Sequence, residues 1–199
     1  MSERTPLIIC LCGMAGVGKG RLIQLLREQE LFPFEYISVS SQLDHDHRLK
    51  AIKKSGNLAP DSDVMFVIRK EVIRILKGGS RVVFVDGAPR TIGQAQGMVQ
   101  MMREQKCNLI MINITASKEA CLKRAQSRPG AREDDKDPKT ISRRHDAYHA
   151  NIANITGFFK EEMVTCFSVD NSVEDEGVGM CNEAVTHLRK YVQFGVPSR

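Results

Sequence analysis

Eight consecutive residues, Gly13-Met14-Ala15-Gly16-Val17-Gly18-Lys19-Gly20, bring four glycines and one lysine into a single short stretch. The spacing is the G-x-x-x-x-G-K core of a phosphate-binding loop. Glycines there let backbone N–H groups turn inward around phosphate oxygens, where a side chain would obstruct them. A helix opening directly after the loop adds the positive end of its dipole. Lys19 is the residue expected to reach the β- and γ-phosphates of a nucleoside triphosphate and to follow the charge as it moves. Gly13, Ala15, Gly16, Val17, Gly18, Lys19, Gly20 and Arg21 are therefore candidate ATP-binding residues. Gly20 stands where such loops ordinarily carry Ser or Thr, so a magnesium ion loses its usual hydroxyl ligand.

Strand and helix patterns alternate along the chain and supply the setting this loop needs. Leu7 to Cys12 is a short apolar run of the kind buried on both faces of a sheet, and Arg21 to Gln29 reads as the following helix. Further strands are predicted over Phe34 to Val39, Arg81 to Asp86, Asn108 to Ile114 and Val164 to Val169. Helices are predicted over Asp44 to Lys54, Asp61 to Leu76, Thr91 to Gln105, Ser117 to Ser127, Pro138 to Glu162 and Glu183 to Val192. Arg128 to Asp137, charged and holding Pro129 and Gly130, reads as an exposed loop. Such alternation calls for an α/β fold of three layers, with a parallel sheet covered on both faces. Ligands of these sheets sit beyond the carboxyl ends of the strands, which is where the glycine loop falls.

Lys19-Gly20, together with Asp86-Gly87-Ala88-Pro89-Arg90-Thr91-Ile92-Gly93-Gln94-Ala95, resembles the adenylate kinase and nucleoside monophosphate kinase family, whose strand-ending signature is D-G-F-P-R-T-x-x-Q-A. The resemblance extends from about Leu7 to Val192. It implies a P-loop kinase fold on a five-stranded parallel sheet, one domain over residues 1–199, an acceptor-binding segment near 36–67 and a short lid near 128–137. By the same resemblance Asp86 holds magnesium through water, Arg90 clamps the monophosphate beside Gly87, and Gln94 reads an adenine edge. Each role suits the side chain. A carboxylate neutralises a hydrated metal, the guanidinium fork matches phosphate oxygens, and an amide donates and accepts together. Leu58, in a segment similar to the family's G-x-L-V-P-D, borders the monophosphate site.

Four arginines fall where the family places lid and post-lid cations: Arg124, Arg128, Arg132 and Arg144. Arg132-Glu133-Asp134-Asp135 is similar to the lid's R-x-D-D, and Thr140-Ile141 with Arg144 to the T-I-x-x-R that follows it. Phosphoryl transfer needs charge stabilisation more than covalent chemistry, so Lys19, Arg90, Arg128, Arg132 and Arg144 form the expected catalytic set. Arg124 and Arg128 are assigned to ATP, Arg132 and Arg144 to the monophosphate. The short lid lacks a cysteine cluster, so no zinc is expected.

Other positions depart from the family. Val39 stands for a hydroxyl, Asp44 for an arginine facing the acceptor phosphate, Ala88 for a phenylalanine and Arg21 for a threonine. A carboxylate at Asp44 would repel the acceptor unless it points away, and Arg48, one helical turn on, is a candidate substitute. Two readings of different class follow. One is a kinase that moves phosphate from Mg-ATP to a monophosphate, AMP favoured by Gln94, with CMP or UMP as alternatives. The other is a nucleotide-binding pseudokinase.

Composition agrees with either reading. Against 29 Lys and Arg the chain carries 24 acidic residues, a formal charge of +5. That mild excess suits a polyanionic ligand, but without a concentrated basic face it argues against nucleic acid. Six scattered cysteines, with only Cys10 and Cys12 close, read as reduced core thiols and point to the cytoplasm. No apolar run is long enough for a membrane span, and a monomer is expected.

Overall fold

A computed structural model of the chain describes residues 5–127 and 137–192. The first strand, β1 (Leu7–Cys12), is buried along its whole length. Its neighbours are β3 (Val82–Asp86) on one side and β4 (Asn108–Thr115) on the other, both parallel to it. β2 (Glu35–Ser38) pairs with β3 and β5 (Thr165–Asp170) with β4, giving the order β2-β3-β1-β4-β5. All five strands are parallel, as the alternating pattern requires.

Side-chain alternation along β1 divides the core between two layers. Ile8, Cys10 and Cys12 face a cluster built with α4 (Asp61–Lys77), α5 (Ile92–Glu104) and α7 (Pro138–Glu161). Leu7, Ile9 and Leu11 face the other cluster, with α1 (Lys19–Glu28), α6 (Lys118–Ser127) and α8 (Val178–Leu188). The six cysteines are free, five of them buried. Burial raises the thiol pKa of Cys12 to about 12, so it stays neutral at physiological pH. Among the described residues no helix is long and apolar enough to cross a membrane.

Several boundaries differ from the sequence prediction. β2 stops at Ser38, whose hydroxyl accepts from the Ser41 backbone N–H and starts a five-residue helix, α2 (Val39–Leu43). The helix expected over Asp44 to Lys54 is found as α3 (His47–Lys54), and α2 before it was not predicted. Asp46 separates them, its side chain accepting from the Arg48 and Leu49 backbone N–H groups. The last helix begins at Val178, five residues before the predicted Glu183. Gly177 in a left-handed conformation and Asp175, accepting from Gly177 and Gly179, supply its start. Its buried Met180 and Cys181 outweigh the poor helix propensity of Gly179.

Candidate active site

The glycine loop leaves β1 and turns into α1 at the carboxyl edge of the sheet. Around it lies one cavity of about 1030 Å³. Gly13 and the whole run from Ala15 to Arg21 line it. Asp86, Gly87 and Arg90, from the end of β3 and the turn after it, form another part of the wall. Leu58, Arg124 and Arg144 complete the set of expected residues that the fold gathers there. Arg128 and Arg132 lie outside the described residues, as does the expected lid except Asp137.

Within the loop, Lys19 Nζ donates to the carbonyls of Gly13 at 2.9 Å and Met14 at 3.0 Å. The ammonium is therefore already held over the glycine loop. Gly16 has φ +81°, and a Cβ there would collide with the Cys121 carbonyl of α6. Gly18 has φ +110°, and a Cβ there would meet the Asn171 amide. These glycines accordingly serve packing, a role the motif alone did not disclose. Gly20 is different: nothing lies within 4 Å of where its Cβ would stand.

A family model described as an AAA domain matches residues 12–142, two-thirds of the chain, from the last residue of β1 into α7. The chain belongs to that family. Curated relatives narrow the likeness. The chain is 27% identical over 192 residues to an adenylate kinase of Parabacteroides distasonis, covering 91% of this chain and 98% of that one. An adenylate kinase of Hyphomonas neptunium is 29% identical over 86% of this chain and 90% of its own. Human adenylate kinase isoenzyme 5 is 30% identical over 86% of this chain, which spans 31% of that longer protein. This AAA-domain chain is an adenylate kinase-like nucleotide kinase.

Four expected acceptor residues do not line the cavity of this AAA-domain protein: Val39, Asp44, Arg48 and Gln94. Val39 is buried in the core. Asp44 sits exposed at the carboxyl end of α2. Arg48 is paired instead with Asp63 at 2.9 Å, so its expected turn toward the acceptor is not the arrangement found. Gln94 is 1% exposed, with both amide ends engaged inside the protein. Its Nε2 donates to Asp61 Oδ1 at 3.0 Å, and its Oε1 accepts from the Arg90 backbone N–H at 2.8 Å. Gln94 thus fixes the backbone at Arg90 rather than offering an edge to a base.

Asp61 is the hub of this arrangement, where the sequence marked a helix start and the end of the segment similar to G-x-L-V-P-D. Its Oδ1 also accepts from Thr91 Oγ1 at 2.7 Å, while Thr91 caps α5 by accepting from the Gln94 backbone N–H. Asp61→Ala leaves a buried Gln94 donor without a partner and should lower stability by about 1–3 kcal/mol. A urea-unfolding midpoint equal to the parent's would contradict this account.

Tyr36 was also missed. It lines the cavity from β2, and its hydroxyl donates to Asp86 Oδ2 at 2.7 Å. The Arg27 guanidinium stands 5.9 Å from the centroid of its ring. A tyrosine in the second strand carries no motif, so only the pairing of Tyr36 with Phe84, two residues before Asp86, brings hydroxyl and carboxylate together. Asn171 was legible in principle, since it follows β5 at the carboxyl edge of the sheet. Arg124 donates to its carbonyl at 2.8 Å, and Arg21 to the Glu176 carbonyl at 2.9 Å. Two of the expected ATP-binding cations are thereby tied to the segment between β5 and α8.

Proposed function

We propose that the chain transfers the γ-phosphate of Mg-ATP to a nucleoside monophosphate, with AMP the preferred acceptor, so that ATP and AMP give two ADP. The observation that carries the reading is one continuous cavity of about 1030 Å³ with the glycine loop and Arg90 both in its wall. That volume is at the upper end for a single small-molecule site and suits two nucleotides meeting by their phosphates. The preference for AMP rests on the relatives named adenylate kinase.

In this reading the amides from Gly13 to Gly20 hold the donor polyphosphate, with Lys19 on its β- and γ-oxygens, and Arg90 holds the acceptor phosphate. An acceptor phosphate oxygen attacks the γ-phosphorus, the bond from that phosphorus to the β,γ-bridging oxygen breaks, and ADP leaves. No general base is required, because the attacking oxygen is already anionic. Arg124 and Arg144 on the cavity wall supply charge stabilisation, joined by Arg128 and Arg132 of the proposed lid. Closure of that lid excludes water and spares ATP from hydrolysis. Asp86 suits a magnesium ion held through water, since Tyr36 occupies only Oδ2 and leaves Oδ1 to accept. Such an ion supplies neutralisation of phosphate charge. The protein acts as a monomer in the cytoplasm.

Tyr36→Phe keeps the ring and removes the hydroxyl that orients Asp86. It should raise the Mg2+ concentration giving half-maximal enhancement of ATP binding by about three- to tenfold. Metal-free ATP affinity should not move, and calorimetric titrations with and without Mg2+ separate the two.

The whole reading is tested by incubating purified protein with Mg-ATP and AMP, CMP or UMP in turn and following ADP, with Lys19→Met as control. Turnover highest with AMP is expected. The enclosure of Gln94 favours a second reading, a nucleotide-binding pseudokinase. ATP binding without turnover on any acceptor would establish it in place of the first.

A further inference from the structure

Carbonyl groups of the glycine loop are nearly all spoken for. Lys19 takes those of Gly13 and Met14, and Asn171 Nδ2 donates to that of Val17 at 2.7 Å. The Ala15 carbonyl is bonded by an imidazole from α7: His145 Nε2 lies 3.0 Å away. His145 is fully buried and its Nδ1 has no partner. A carbonyl can only accept, so Nε2 must carry the proton. With Nδ1 idle the ring is neutral, in keeping with a pKa lowered by burial. Lys118 and His149 act in the same direction, opposed by the Ala15 carbonyl and Asp146.

A peptide plane has its C=O and the following N–H on opposite edges. His145 does not line the cavity, whereas Ala15 and Gly16 do. Pulling the Ala15 oxygen toward His145 therefore turns the Gly16 N–H the other way, toward the cavity. We infer that His145 is a positioning residue of the phosphate loop, holding the Ala15–Gly16 peptide so that the Gly16 N–H faces the donor polyphosphate. The inference rests on the proposed binding of ATP at this loop. It also gives a reason for a buried imidazole with one unused nitrogen, which packing alone would not favour over leucine.

The test compares the parent protein with His145→Leu, which fills the space without a donor, and His145→Gln, whose Nε2 replaces that of the ring. Binding of metal-free ATP and of AMP is measured by calorimetry, with urea midpoints alongside. His145→Leu should weaken ATP binding about three- to tenfold while AMP affinity and the midpoint hold, and His145→Gln should recover most of the loss. ATP affinity unchanged in His145→Leu, or no recovery in His145→Gln, overturns the inference. So does a joint fall of ATP affinity, AMP affinity and midpoint, the mark of a packing role. Failure of the parent itself to bind ATP would instead remove the functional reading, and this inference with it.

Discussion

Lys19→Met is expected to reduce phosphoryl transfer by about 10²- to 10³-fold while leaving the protein folded. The side chain sits half-buried at the start of α1, its ammonium on the Gly13 and Met14 carbonyls. Methionine preserves the length of the aliphatic stem and removes the charge. In a transfer that passes through a loose transition state, charge spreads over the equatorial oxygens of the moving group, and a positioned cation is worth most there. The loss should appear chiefly in kcat, measured by ADP formation at saturating ATP and acceptor. A kcat within tenfold of the parent's would remove Lys19 from the chemistry. Because the same carbonyls lose a donor in the variant, its urea midpoint should be recorded beside the rate.

Gly16→Ala should act by a different route and damage both fold and binding. The residue holds φ +81°, and its Cβ would run into the backbone carbonyl of Cys121, which cannot swing aside as a flexible side chain would. Backbone strain of roughly 1–2 kcal/mol for the left-handed conformation adds to the displacement of α6 from the loop. A total loss of about 3 kcal/mol corresponds to a fall in Tm of roughly 6–12 °C for a chain of this size. ATP affinity should drop as well, since the displaced peptide is the one that offers the Gly16 N–H. The contrast is Gly20→Ala, where open space surrounds the new methyl group and the Tm should hold. Equal Tm values for Gly16→Ala and the parent would mean that the close approach of the loop to α6 is relaxed in solution.

Both substitutions fall in a segment the sequence identified at once, but for only part of the reason. Four glycines and a lysine between an apolar run and a helical pattern are a local signal, and local signals survive in one dimension. The alternation of short apolar runs with 3.6-residue periodicity likewise required a parallel sheet between two helical layers. Asp86 and Arg90 were legible because they belong to one contiguous run that ends a strand. What escaped was assembled from distant parts of the chain. Tyr36 meets Asp86 because β2 and β3 are paired in one register. His145 and Asn171 reach the glycine loop from α7 and from beyond β5, separated from it by 130 and 154 residues. No spacing rule links positions so far apart.

Gln94 shows the limit from the other side. Its place in a recognisable run implied contact with a base, yet the fold turns it inward onto Asp61 and the Arg90 backbone. The sequence alone determined that a glycine-rich loop ends the first strand of an α/β sheet and that a carboxylate and an arginine end another. Only the tertiary structure decided which side chains hold those groups in place. Hydrogen bonds between buried polar groups depend on packing between layers, and that packing exists only once the sheet and its helices have come together.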